Sequence, residues 1–393
     1  MAVPDQDIVT LLIANQEFAA WPSIDIITNL DAISAVEFNA PFESDRADFR
    51  ELFRPFQFKP VEVRIRPGDD QEAGATGGLL AAAVGAVAAV SGLVGGVDPL
   101  IGDVDPTTVF KGTMLNIDPD SSPNRSAVSV TAYSTPGVLQ DCTAPTTSLP
   151  VEFAGLKLDV IAKTIADAFG FEVAFAEDPG AAFNKVKLDI EQKQFDFLAN
   201  LARQRNLVVS STKSGDLLFQ RSIATGNPVA RLELGQQPLL NVTANFSPQD
   251  YFSEMTAFVS ARKKRKGTKA RKGSIFKVDN PKLSVLRPLN FKVPDTEEAG
   301  APEAANAKLA RMFGNVASYQ VDLATWRDPQ GDLWTPNTTI TLNAPDAMIY
   351  SEFEFLIRSV QLHQDAENQN ASLNVVLPGS FSGEIPDILP WED

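Results

Sequence analysis

Leu156-Lys157-Leu158-Asp159-Val160-Ile161-Ala162-Lys163-Thr164-Ile165-Ala166-Asp167-Ala168-Phe169-Gly170 is the stretch on which the fold turns. Leu156, Val160, Ile161, Ile165, Ala168 and Phe169 recur at three- and four-residue steps, the spacing of one buried helix face. Gly170 stands where a helix C-cap glycine belongs, and residues 171–175 alternate as a short strand. A second helix is expected over residues 194–204, burying Phe195, Leu198, Leu201 and Ala202. Leu207-Val208-Val209, the turn Lys213-Ser214-Gly215-Asp216 and the strand Leu217-Leu218-Phe219-Gln220 complete a hairpin. Residues 149–225 therefore read as a small α/β module, and it carries no obvious catalytic group.

Both flanks change period from helix to strand. Upstream, residues 8–18, 23–27 and 35–39 read as strands, and Val61-Glu62-Val63-Arg64-Ile65-Arg66 alternates cleanly until Pro67-Gly68. Residues 109–114 and 127–133 read as a strand pair joined by a loop over 118–124. Downstream, strands are expected at 239–246, 254–260, 318–323, 338–342, 353–362 and 371–377, with one helix at 303–313. The organisation is a β domain over 1–148, the module over 149–225, a second β domain over 226–380, and an extended tail over 381–393. The class is α+β, mainly β.

Composition narrows the chemistry. The chain has 393 residues and a formal net charge of −16, so phosphates are repelled unless the charge is segregated. A single cysteine, Cys142, forbids an internal disulfide and suits a reducing compartment. The only histidine, His363, lies in a strand-like alternation that points it to solvent. One His and one Cys cannot assemble a zinc site of the usual kinds. No phosphate loop, nucleophile elbow, HExxH or CxxC pair is present, so no catalytic residue, cofactor or metal is expected. Acidic residues at the N-terminus stand where a signal peptide needs basic ones.

Two segments break the pattern. Residues 76–97 hold no charge and are rich in Ala, Gly, Val and Leu, within an insert at about 71–104. Leu79, Leu80, Val84, Val87, Val90, Leu93 and Val94 would carry either packing against protein, including a copy of itself, or contact with a membrane. The second segment is basic: Arg262, Lys263, Lys264, Arg265, Lys266, Lys269, Arg271 and Lys272. No aromatic is interleaved to stack on bases, which favours a solvated or partner-facing loop over DNA contact or a localisation signal.

Taken in order, several pieces resemble the Mu-type baseplate hub proteins of tailed bacteriophages. They are Val109-Phe110-Lys111-Gly112-Thr113, then the run from Ala132 through Ser134-Thr135-Pro136-Gly137-Val138-Leu139-Gln140-Asp141-Cys142, then the module. The most specific is Trp326-Arg327-Asp328-Pro329-Gln330-Gly331-Asp332-Leu333-Trp334-Thr335-Pro336-Asn337 followed by Phe355-Leu356-Ile357-Arg358-Ser359-Val360. The resemblance implies a structural virion protein, not an enzyme. It implies a homotrimer in which two tail-tube-like β-barrel domains per chain make a pseudo-six-fold ring. That ring would join the tail tube protein to the central spike protein, contact other baseplate proteins, and form part of the DNA-exit channel in the virion, after assembly in the host cytoplasm. A cell-wall hydrolase or membrane-penetrating tail-tip component is the alternative. The insert and the basic tract are not explained by the resemblance.

Overall fold

The computed structural model describes residues 6–68, 107–123, 125–145, 152–223, 226–259, 273–293, 301–381 and 388–392. Among the described residues strand takes 45% and helix 17%, so the mainly-β class holds.

The first β unit contains β1 (Ile8–Ile13), β2 (Gln16–Glu17), β3 (Ser23–Asn29), β4 (Ala35–Pro41), the short helix α1 (Ala47–Leu52), β5 (Pro60–Arg66), β6 (Thr108–Ser122) and β7 (Arg125–Ser134). The module contains α2 (Val138–Asp141), β8 (Glu152–Phe153), α3 (Leu158–Phe169), β9 (Val173–Phe175), β10 (Val186–Lys187), α4 (Gln194–Arg203), β11 (Val208–Ser211) and β12 (Leu217–Gln220). The second β unit contains β13 (Ala230–Glu233), β14 (Leu239–Phe246), β15 (Glu254–Val259), β16 (Ser274–Asp279), β17 (Pro288–Val293), α5 (Ala301–Val316), β18 (Ala317–Leu323), β19 (Thr339–Ala344), β20 (Ile349–Asp365) and β21 (Gln369–Val376).

Among the described residues the two β units are joined in one sheet. One 13-stranded sheet runs β14-β18-β21-β20-β3-β4-β7-β6-β5-β1-β2, and no sheet closes on itself among the described residues. Four strands of the second unit lead directly into four of the first, joined at the antiparallel seam β20·β3. Each quartet has the same internal logic. Taken in chain order the strands are β3, β4, β6, β7 and β14, β18, β20, β21, and both lie side by side in the order first, second, fourth, third. The irregularities repeat as well. A bulge falls between Met114 and Asn116 in β6 and between Ile357 and Ser359 in β20. Below each bulge a helper strand, β5 or β19, covers the earlier half of the long strand. The chain thus contains one four-strand unit twice.

Period-two alternation buries one face of this sheet. Val36, Phe38 and Ala40 on β4, Val128, Val130 and Ala132 on β7, and Tyr319, Val321 and Leu323 on β18 all enter one core. In the first unit, Phe49 of α1 and Phe53 just after it pack edge-on against Phe18 at 6.1 and 5.6 Å. Asp7 and Arg327 tie the start of β1 to the second unit through a buried pair at 2.7 Å, and Trp326 and Trp334 are buried beside it. Gly112 is required where β6 meets β7, because a Cβ there would run into the Tyr133 carbonyl.

Several expectations change in detail. The loop expected over 118–124 is strand as far as Ser122, since Asp118 and Asp120 pair with Ser129 and Ala127 on the solvated face. In α3 the buried stripe is Leu158, Ile161, Ala162, Ile165 and Ala166, whereas Val160 and Ala168 are exposed. The helix starts at Leu158, and that phase sets which side faces the β strands. Its C-cap is Gly170 at φ 81°, the left-handed conformation the sequence requires. In α4, Phe197 and Ala199 are buried with Leu198, Leu201 and Ala202, while Phe195 is only partly covered. Gly314 and Asn315 lie within α5, not beyond it; a Cβ on Gly314 would sit 2.9 Å from Ser380 Cβ. Residues 388–392 fold back: Leu389 is buried, Trp391 meets Phe246 edge-on at 5.1 Å, and Glu392 pairs with Lys282.

The module has its own core, with Phe153 stacked on Phe197 at 6.2 Å and Phe175 on Phe219 at 4.5 Å. It is fastened to the large sheet near the seam. Ser34 donates its backbone N–H to Ser211 Oγ at 3.0 Å, and Val208 joins Leu30, Leu356, Val376 and Phe381 in a small apolar cluster.

Candidate functional site: an acidic sheet face

The face of the sheet opposite the core carries polar residues in both quartets, interrupted by Ile27, Ala35 and Tyr133. Directly opposed residues of an antiparallel pair share a face, so the register defines it strand by strand. Asn241 opposes Asp322, which opposes Ser372, and Ser372 opposes Gln361. Further along, Asn370 opposes His363, His363 opposes Asp25, and Asp25 opposes Glu37. Glu37 opposes Thr131, which opposes Asn116. Asp118, Asp120 and Asp365 lie on the same face by the same alternation. Six carboxylates therefore share this surface, and from Asn241 to Asp120 none of the positions named carries Lys or Arg.

Local bonds hold several carboxylates in place and ionised. Burial raises the pKa of Asp322, but hydrogen bonds from Ser372, Gln320 and Asn241 outweigh it and hold the group below the ordinary range. Asp365 accepts backbone N–H bonds from Glu367 and Asn368 at 2.8 and 2.7 Å, which lower it too.

His363 does not simply point to solvent. Its Nδ1 lies 2.8 Å from Asp25 Oδ1 and its Nε2 3.4 Å from Asp365 Oδ2, bridging the seam between the units. Burial lowers its pKa, yet the hydrogen bond and charge of Asp25, aided by Asp365, raise it overall. Gln361 donates to the same Asp25 oxygen at 2.9 Å.

The expected site residues fall elsewhere. Arg262, Lys263, Lys264, Arg265, Lys266, Lys269, Arg271 and Lys272 lie outside the described residues. So do Leu79, Leu80, Val84, Val87, Val90, Leu93 and Val94. Among the described residues no helix is long and apolar enough to cross a membrane, and no cluster of His, Cys, Asp and Glu could hold a metal. Cys142 is partly exposed and free. The acidic face itself was missed by motif reading, because its members are far apart in sequence. Its signal was the outward phase of each alternating strand, where Asp25, Glu37 and Asp322 recur between buried apolar neighbours.

Residues 136–221 match the family model described as baseplate hub protein gp44-like, second domain. Baseplate hub protein gp44 of Escherichia phage Mu is 25% identical over 218 residues, which are 52% of this chain and 55% of the Mu protein. The match thus spans about half the length of that relative. Two solved structures share the fold over nearly the whole chain. The 43 kDa tail protein of prophage MuSo2 from Shewanella oneidensis superposes with a TM-score of 0.69 at 20% identity, covering 95% of this chain and 99% of that one. The tail protein from Neisseria meningitidis MC58 gives 0.70 at 15% identity, covering 96% and 98%. Over about half its length the chain is thus similar to the Mu baseplate hub protein, and over nearly all of it the chain shares the fold of two tail proteins.

Proposed function

We propose that copies of this chain close into the ring of a baseplate hub, with the acidic face turned to the central channel. The repeated four-strand unit carries this reading. Within the chain, the third strand of the second unit (β20) pairs with the first strand of the first unit (β3). The same two kinds of edge are left over at the ends: β6 of the first unit and β14 of the second. Among the described residues no strand takes the outer edge of β14 or that of Asn116–Asp120 in β6. The edge of β14, Leu-Leu-Asn-Val-Thr-Ala-Asn-Phe, has neither charge nor proline to discourage pairing. Pairing β6 of one copy with β14 of the next therefore repeats the seam already built into each chain.

Three copies would present six units around one axis. Such a ring suits a six-fold tube on one side and a three-fold spike on the other, the adaptor role implied by the Mu-type resemblance. Carboxylates along the inner wall would repel the phosphates of DNA passing through and leave it no cationic trap. Contacts with the tube, spike and neighbouring baseplate proteins, and location in the tail of the virion, belong to this same proposal.

The seam fixes the register to test. Mapping β20·β3 onto the free edges through the shared bulge places Asn116 opposite Ser247, Asp118 opposite Asn245 and Asp120 opposite Thr243 of the next copy. In a Cys142→Ser background, Asp120→Cys with Thr243→Cys should cross-link between chains through a short bis-maleimide and accumulate as a closed trimer. Absence of inter-chain product, or equal product from Asp120→Cys with Leu234→Cys, overturns the ring.

A further inference from the structure

We propose that the loop Phe56-Gln57-Phe58 clamps onto the neighbouring copy, packing against the corner formed by Phe246, Tyr350 and Trp391 beside its β14 edge. This rests on the ring reading above and assigns that ring a second, side-chain contact.

The internal repeat identifies what the loop corresponds to. Met114 of β6 donates its backbone N–H to Lys59 O at 2.9 Å, and Ile357 of β20 donates to Thr338 O at 2.9 Å. Pro60 starts β5 opposite Thr113, and Thr339 starts β19 opposite Leu356. Phe58 is therefore the counterpart of Asn337. Both adopt the left-handed conformation, at φ 49° and 66°. In the second unit that position is a docking point. Asn337 Nδ2 donates to Gln220 Oε1 and Arg221 O at 3.2 and 3.1 Å, and its Oδ1 accepts from the Ile223 N–H at 3.0 Å. The chain segment leaving the module thus covers the loop of the second unit.

The first unit has no such cover among the described residues, and its loop presents aromatic side chains instead. Phe56 is 91% exposed at φ 63°, and Phe58 is 55% exposed. A bulky aromatic in the left-handed region is disfavoured, and its exposure to water adds to that cost. The loop is nevertheless held firmly. Lys59 Nζ binds the Glu51 backbone oxygen and lies 3.5 Å from its carboxylate, with Pro55 and Pro60 on either side of the aromatics. A rigid, preformed aromatic tip is what an interface anchor needs.

Position selects the occupant. Lys59, next to the loop, accepts from Met114 of β6 just before the free edge, and residues 53–55 line one cavity with Ile117 and Pro119. The seam register puts the next copy's Ser247 opposite Asn116, so its Phe246 faces this loop on the same side of the sheet. Phe246 packs edge-on against Trp391 and remains 38% exposed, and Tyr350, 51% exposed, donates its backbone N–H to the Pro390 carbonyl next to Trp391 at 3.2 Å.

The test uses the full chain. Phe56→Ser/Phe58→Ser should weaken self-association in sedimentation equilibrium by at least about ten-fold, as loss of buried aromatic anchors does, with an unchanged thermal melt of the chain. Tyr350→Ser on the partner side should weaken it as well, and combining Phe58→Ser with Tyr350→Ser should cost less than the sum. Self-association within about two-fold of wild type, or fully additive losses, overturns the clamp. The Asp120→Cys/Thr243→Cys cross-link reports the ring separately. If it forms while the loop variants have no effect, only the clamp falls; if it never forms, the ring falls and the clamp with it.

Discussion

His363 is the residue whose environment makes the seam between the two β units sensitive to pH. The ring nitrogens face Asp25 on β3 and Asp365 on its own strand, with Glu37 across β4 and the uncharged Gln361 and Asn370 beside it. Every charged neighbour on the sheet is acidic, so the folded protein favours the imidazolium and raises its pKa above the ordinary 6.5. A raised pKa contributes stability in full below the unfolded value, and this is lost as pH rises through the folded value. The seam should therefore melt at lower temperature as pH climbs from about 6.5 upward, and His363→Gln should flatten that dependence in thermal melts taken across this range. A wild-type profile that His363→Gln leaves unaltered would assign the sensitivity elsewhere. Sequence alternation placed His363 on the outward face correctly, but solvent was the wrong partner. Asp25 is 338 residues away in the chain, and only the β20·β3 pairing brings it within hydrogen-bond reach.

Elements were legible wherever one period ran long enough. The two module helices, the Gly170 cap and most strands follow directly from apolar spacing and turn residues, because burial on one face leaves that trace. The phase of α3 was less legible. Leu156, Val160 and Ala168 fit an apolar arc almost as well as Leu158, Ala162 and Ala166 do, and small alanines decide it only by contact. The extension of β6 to Ser122 was hidden for another reason: Asp118, Asp120 and Ser122 resemble a turn when read alone, although they are the solvated half of a strand. The repeated order of the two quartets was not legible at all, since it lies in pairing and not in residue identity. The separate core of the module gives a prediction at this scale. Leu198 is fully buried among module side chains, so Leu198→Ala should cost about 3 kcal/mol through lost burial and a residual cavity. Hydrogen exchange should show the loss in α3, α4 and β11 while β4, β7 and β21 keep their protection. Uniform loss across the large sheet would mean that module and sheet unfold as one unit.

At the scale of the whole molecule, charge and topology point the same way. The chain carries 50 acidic against 34 basic residues, and the tract that holds eight of the basic ones lies outside the described residues. The large sheet places carboxylates at outward positions of β3, β4, β6, β18 and β20 and aligns them across both units. A face of that kind is costly for a surface meant to hold nucleic acid and well suited to one past which nucleic acid must slide, because repulsion keeps the polyanion from settling on the wall. Glu37 and Asp118 are exposed and make no ion pair among the described residues, and both lie outside the Asp322 network. Rings of Glu37→Lys/Asp118→Lys that retain the Asp120→Cys/Thr243→Cys cross-link carry the test. In particles built with the variant, triggered DNA release should slow several-fold at low ionic strength, because each ring then presents paired cations to passing phosphates. Raising salt should restore the rate, since the screening length falls from about 10 Å at 0.1 M to about 3 Å at 1 M. Release at the wild-type rate in all salt conditions would mean that the acidic face does not line the DNA path, even if the ring itself is correct.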